Sequence, residues 1–220
     1  MAADVDLLAQ AFDFLVHLDK HIADFWALYG VWLYVLVFAI IFAETGLVVT
    51  PWLPGDSFLF VLGALAGIGG GPDVTLLLVL LFVAAVLGNT SNYWIGRWIG
   101  PKLFRDGKSR VLSKDTLDKT HAFYEKYGSF TLIVSRFVPL VRTFAPFVAG
   151  LGAMPHGRFQ FYSVVGGALW VGLFVGAGYL FGQIPVIKNN LPLVMLAVVF
   201  LSLAPLAVQM LRSKMSGSRG

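Results

Sequence analysis

Glu44, Asp56, Arg136 and Arg142 each sit within strongly apolar sequence that also carries prolines and glycines. A charge held at the centre of a bilayer costs about 2.5–3.5 kcal/mol on the most lenient scale. Four of them, two of each sign, point to use. Arg136 and Arg142 are six residues apart with Pro139 between them. In an unbroken helix a six-residue step turns about 600°, leaving the two side chains roughly 120° apart; a break at Pro139 instead turns both inward. Two guanidiniums converging on one point make a bidentate phosphate site. The competing reading is that they only neutralise Glu44 and Asp56, because buried charges are commonly paired. The two readings are compatible, since an arginine that holds a carboxylate at rest can hand over to a phosphate.

Glu44 and Asp56 are candidates for proton coupling or gating. Burial disfavours a charged carboxylate and a neighbouring guanidinium favours it, a balance that a proton-coupled carrier needs. Asp56 has a structural alternative as N-cap of a helix starting at Ser57; Glu44 has none. Asn89, Asn92 and Tyr93 are expected to supply secondary polar lining, with Asn89, Ser91 and Asn92 able to hydrogen-bond across helices. Pro51, Pro54, Gly55, Pro139 and Pro146 are expected to hold the backbone broken.

Enzyme chemistry is not expected. The chain has no cysteine, which removes thiolate catalysis, disulfides and cysteine metal sites. His17, His21, His121 and His156 form no metal-ligand spacing, and no nucleophile elbow or phosphate loop is present. A lipid phosphatase would need a histidine nucleophile beside Arg and Asp, whereas His156 lies near Arg158 with no acidic neighbour. No cofactor or metal is anticipated.

These residues must be positioned by membrane segments. The 220 residues are 58% hydrophobic and 13% charged, against about 25% charged in soluble domains, and the mean hydropathy is +0.80. Long apolar tracts near the roughly 20-residue spanning length make this an all-α polytopic membrane protein with one membrane domain, 29–212. Residues 1–28 read as an amphipathic interfacial helix, with Leu7, Leu8, Ala11, Leu15, Leu18 and Ile22 recurring at helical spacing between aspartates. The first 13 residues lack Lys and Arg, so a cleaved signal peptide is not expected.

Residues 30–45 predict an apolar helix, opened by Trp26, Tyr29, Trp32 and Tyr34 as an aromatic belt. The break at Pro51, Pro54 and Gly55 precedes a half-length apolar run, so 44–67 reads as re-entrant. Residues 69–72 predict a turn and 74–98 a crossing. A basic loop follows over 97–127, with a surface helix predicted over 114–127. Then 129–152 repeats the broken theme, 154–157 predict a turn, and 159–181 and 191–211 predict crossings. Eight basic residues fall between Arg97 and Lys126, and Arg212, Lys214 and Arg219 end the chain. Basic residues collect on the cytoplasmic side, so the central loop and the tail 213–220 are placed inside. That charge belongs to membrane flanks, and nucleic acid is not an expected partner.

An internal repeat shows faintly. Tyr29-Gly30 and Tyr127-Gly128 open the two broken regions, and Glu44 and Arg142 each fall fourteen residues after their glycine. With 74–98 running inward and 159–181 outward, the halves form an inverted repeat, with a site near the midplane. Glycines four apart, Gly63/Gly67, Gly96/Gly100, Gly172/Gly176 and Gly178/Gly182, allow close helix approach. Packing within one subunit is the expectation and a homodimer face the alternative.

Glu44-Thr-Gly followed by Pro51-x-x-Pro54-Gly55-Asp56 resembles the first signature of the bacterial DedA membrane protein family. Arg136-Phe-Val-Pro139-x-x-Arg142-Thr143, with Ala149-Gly150 and Met154, resembles its second. Gly88…Tyr93-x-x-Gly96-Arg97 and Phe123-Tyr124-x-x-Tyr127-Gly128 resemble two more. The resemblance implies two opposed re-entrant hairpins, an inner-membrane location and a superfamily (SNARE-associated or VTT) shared with eukaryotic lipid scramblases. It also implies translocation of a lipid such as undecaprenyl phosphate or a phospholipid, dependent on the proton-motive force, with lipids and protons as partners. The family pattern has Asp where this chain has Asn89; a neutral amide cannot titrate, which leaves Glu44 and Asp56 for any proton work. Two other functions stay open: a small-ion or proton antiporter using the same carboxylates, and a non-transporting envelope scaffold.

Overall fold

The computed structural model describes residues 18–47, 55–68, 70–105 and 128–188, with 190, 193, 194 and 197 beyond. Helices α1 (Leu18–Tyr29), α2 (Trp32–Gly46), α3 (Gly55–Ala66) and α4 (Val74–Arg105) form the first half. The second half has a short α5 (Thr131–Val134), a 3-10 turn (Ser135–Phe137), α6 (Pro139–Leu151), α7 (His156–Phe181) and a last turn, α8 (Pro185–Lys188). All regular elements among the described residues are helical.

Within α4 and α7, Val74–Ile99 and His156–Phe181 are apolar stretches of 26 residues each, longer than the roughly 20 needed to span hydrocarbon. Helices α2, α3 and α6 have 15, 12 and 13 residues and fall short of that length. The local reasons for the breaks are readable. Leu47 leaves α2 in an extended conformation. Val138 is extended, at φ −119° and ψ 106°, as expected of a residue before proline, and Pro139 then opens α6 at a position where its missing N–H costs nothing. Asp73 caps α4, its Oδ1 accepting from the Leu76 amide at 2.7 Å.

Helices α3 and α7 pack together, α6 packs on α4, and α2 packs on α4; these are the most extensive contacts. Glycine makes the first two possible. At Gly63 an added Cβ would lie 3.0 Å from the Tyr179 amide nitrogen, and at Gly178 it would lie 3.0 Å from that of Ala64. At Gly96 it would meet the Phe147 backbone and at Gly150 that of Tyr93 and Arg97. Gly63/Gly67 and Gly178/Gly182 therefore serve packing inside the chain, whereas Gly172 and Gly176 face open space. One apolar core joins Leu33, Val37, Ile41, Leu59, Leu81 and Trp170; a second gathers Tyr93, Leu132, Ala149 and Phe159.

Several expectations need correction. The crossing expected to end at Trp98 continues as helix to Arg105, so the basic segment 97–127 begins as helix and not as loop. Pro101 does not interrupt this helix. Pro146 breaks nothing: it lies inside α6, as prolines in membrane helices can when neighbours satisfy the freed backbone. The turn expected over 154–157 is shorter, because α7 begins at His156. Residues 1–17, the prolines Pro51 and Pro54, the helix expected over 114–127, nearly all of 191–211 and the tail lie outside the described residues.

Candidate functional site

The four charges meet. Glu44 stands in the last turn of α2, Asp56 in the first turn of α3, Arg136 in the 3-10 turn and Arg142 in the second turn of α6. Relative exposure is 2% for Glu44, 5% for Asp56 and 4% for Arg136. The Arg142 guanidinium forks: Nη2 donates to Glu44 Oε1 and Nη1 donates to Asp56 Oδ1 at 2.5 Å. The planar five-donor head of arginine suits such a double contact.

Trp170, buried on α7, completes the arrangement. Its Nε1 donates to Asp56 Oδ1 at 2.8 Å, and Arg142 Cζ lies 5.3 Å from its ring centroid, within cation–π range. Capping alone therefore does not describe Asp56. Glu44 sits at the amino terminus of α3, where exposed N–H groups and the helix dipole favour an anion. Gly55 is required there: a Cβ would lie 2.9 Å from Glu44 Cδ and closer still to both oxygens. Gly55→Ala is expected to push Glu44 off Arg142 and destabilise the fold by about 1–3 kcal/mol, the usual cost of overpacking. Thermal unfolding in detergent checks it, and an unchanged melting temperature would contradict the contact.

Arg136 is held differently. Its Nη2 donates to the Ser163 carbonyl at 3.1 Å and to Ser163 Oγ at 3.4 Å, and Asn89 Nδ2 donates to the same hydroxyl at 3.2 Å. Arg136 Nε is buried without a partner, as is Glu44 Oε2. No carboxylate pairs with Arg136 among the described residues. Glycines on α7 make the slot: a Cβ at Gly166 would lie 3.1 Å from Arg136 Cδ and Nε.

Glu44, Thr45, Asn89, Arg136, Arg142, Thr143 and Trp170 line one cavity of about 10 Å³, room for about a single water. Both arginines thus face the same space, and among the described residues only Arg142 is neutralised by carboxylates. Asn89 lines the cavity. Asn92 and Tyr93 do not: Asn92 bonds two backbone carbonyls, and Tyr93 stacks on Phe159 with ring centroids 4.4 Å apart while its hydroxyl donates to Met154 O. Trp170 and Ser163 were not foreseen. Their spacing on α7 with Gly166 and Gly167 is the one sequence signal that groups them on a single helix face.

Residues 53–180 match the VTT domain. Protein DedA of Escherichia coli K12 is 49% identical over 216 residues, 98% of this chain and 99% of its own. Uncharacterized membrane protein Rv0364 of Mycobacterium tuberculosis is 43% identical over 178 residues, 80% of this chain and 78% of its own. Inner membrane protein YghB of Escherichia coli K12 is 33% identical over 210 residues, covering 94% and 91%. No solved structure matches the chain.

Proposed function

The chain belongs to the DedA family of VTT-domain membrane proteins, and we propose that it carries a phosphate-bearing lipid, undecaprenyl phosphate or a phospholipid, across the bacterial cytoplasmic membrane. The observation that carries this reading is a buried cavity faced by two guanidiniums, of which one, Arg136, has no carboxylate partner among the described residues. An unpaired cation buried in a membrane domain is costly, and an anionic headgroup is the ligand that relieves it. In this reading the cluster supplies binding and charge exchange.

In this scheme the two broken regions are opposed re-entrant hairpins of an inverted repeat. Reciprocal packing supports it: the short helix of the first half, α3, lies on the crossing helix of the second, α7, and α6 lies on α4. Gly30 and Gly128, the markers of the two halves, both take left-handed backbone at φ +50° and +69°, a conformation glycine adopts freely. The cavity is closed to a headgroup in this arrangement. Entry requires Arg142 to release Glu44 and Asp56 and turn to the phosphate, and protonation of the released carboxylates would couple the step to the proton-motive force. In this reading the C-terminus lies on the cytoplasmic side, in keeping with its basic residues.

The test is transport of undecaprenyl phosphate, and separately of a labelled phospholipid, by the purified protein in vesicles. Arg136→Ala with Arg142→Ala is expected to reduce transport to the protein-free rate; normal rates in the double variant would end the headgroup assignment. The size of the cavity favours a second reading, exchange of protons or small cations, because one water-sized space fits those without any opening. That reading predicts flux in vesicles whose lipids carry no phosphate.

A further inference from the structure

We propose that Asn92 is the positioning residue that ties the two charged segments together, so that Glu44 and Arg142 meet while its side-chain amide bridges them. Asn92 is fully buried on α4. Its Nδ2 donates to the Thr45 carbonyl at 3.1 Å and to the Thr143 carbonyl at 2.8 Å. Thr45 follows Glu44 and Thr143 follows Arg142. One amide thus grips the main chain beside both ends of the ion pair, at corresponding positions of the two halves. Its orientation is fixed by chemistry, because both partners are acceptors and only the NH₂ group can face them. The other end, Oδ1, is buried without a partner.

The sequence of α4 builds this grip. Gly88, Asn92 and Gly96 are spaced by four and share one helix face. A Cβ at Gly88 would lie 2.9 Å from the Phe42 carbonyl oxygen and 3.0 Å from Thr45 Cβ, on α2; one at Gly96 would lie 2.9 Å from the Phe147 carbonyl carbon, on α6. The two glycines therefore bring both backbones against α4, one turn either side of Asn92, and a short side chain reaches both. Thr45 lies in the last turn of α2, where carbonyls have no helical donor left. At Thr45 the amide supplies a donor that the end of α2 does not.

An NH₂ group committed to two segments holds both or yields one. Separating α2 from α6 costs at least one of its bonds, in a place where Oδ1 offers no substitute. The consequence for transport rests on the lipid-carrier reading; the grip itself does not.

The chain has no cysteine, so Val35→Cys with Phe144→Cys, exposed positions on α2 and α6, gives a unique spin-label pair in the full-length protein in lipid nanodiscs. A single narrow distance distribution is expected. Asn92→Asp, nearly isosteric, turns two donors into an acceptor and is expected to broaden it and add a longer population. Glu44→Gln is expected to do the same, and the combination to add little, because both release one contact. Thr90→Val, which removes the bond to Gln160 elsewhere on α4, should leave the distribution intact. A parent-like distribution in Asn92→Asp, or strictly additive effects with Glu44→Gln, would overturn the proposal. Should Asn92→Asp not fold, the parent chain labelled with ¹⁵N-asparagine decides: an NH₂ group with both protons protected from exchange is expected, and its absence refutes the grip. Lipid transport measured alongside separates the two questions, since a protein that moves no lipid still reports these distances.

Discussion

Replacing Arg142 by Met is expected to lower the unfolding free energy by about 3–5 kcal/mol, the cost of leaving buried charges without their partner. Arg142 is the shared counter-ion of two carboxylates that are almost wholly excluded from solvent. Its loss strands Glu44 at the start of α3 and Asp56 beside Trp170, two acidic groups in apolar surroundings. Arg142→Lys should lose less but still a good part, because an ammonium is a compact point charge and cannot fork to two carboxylates. Adding Glu44→Gln and Asp56→Asn to Arg142→Met should recover most of the stability, since amides carry no charge to compensate; that recovery is a strong non-additivity of the kind expected within one network. Denaturant unfolding in micelles, followed by helical circular dichroism, measures all of these. A single variant that unfolds with the parent, or a triple variant no better than the single, would show that the cluster does not hold the two broken segments together. Transport should be absent from the single and the triple variant alike, which separates the stabilising part of Arg142 from its binding part.

The four charges and the Pro139 break were legible because each is a local contradiction: an ionised group or a rigid ring where the surrounding residues demand an apolar helix. Such contradictions read directly off a sequence. The half-length α3 and the two crossings were legible for a similar reason, since length against bilayer thickness decides them. What escaped is relational. Trp170 looks like any aromatic in a crossing helix, and nothing nearby says that its ring faces Arg142 and its N–H faces Asp56. Ser163 is an ordinary small residue until Arg136 is folded onto it. Asn92 and Asn89 have the same chemistry and neighbouring positions, yet only one reaches the cavity, because a step of three residues along α4 changes the facing neighbour. Pro146 misleads in the opposite direction: proline signals a break, but in a helix packed on Gly96 and Tyr93 the neighbours hold the backbone through it. Gly63/Gly67 and Gly178/Gly182 pack helices together as their spacing suggests, but the same spacing at Gly172/Gly176 faces open space, and the partners, α3 with α7 and α4 with α6, could not be read from spacing alone.

Arg136→Met should do the reverse of Arg142→Met: the protein is expected to become more stable by about 1–3 kcal/mol while losing lipid transport. Arg136 is 4% exposed, its contacts are to Ser163, and its Nε has no partner. Two hydrogen bonds to neutral oxygens do not offset the desolvation of a full charge, and a buried ionic group replaced by an apolar one of similar length is often stabilising by a few kcal/mol. Methionine suits the site, because an unbranched, adaptable side chain can follow the slot that Gly166 and Gly167 leave open. Native sequences keep such costly groups where activity needs them. The opposing physics is also clear: Glu44, Asp56 and Arg142 together carry a net negative charge when both carboxylates are ionised, and the attraction of Arg136 to that group across the cavity favours keeping it. Unfolding of Arg136→Met against the parent decides between them, read beside lipid transport in vesicles. A loss of stability like that of Arg142→Met would make Arg136 a fourth member of the ionic lock, and the unpaired receptor at the centre of the carrier reading would be gone.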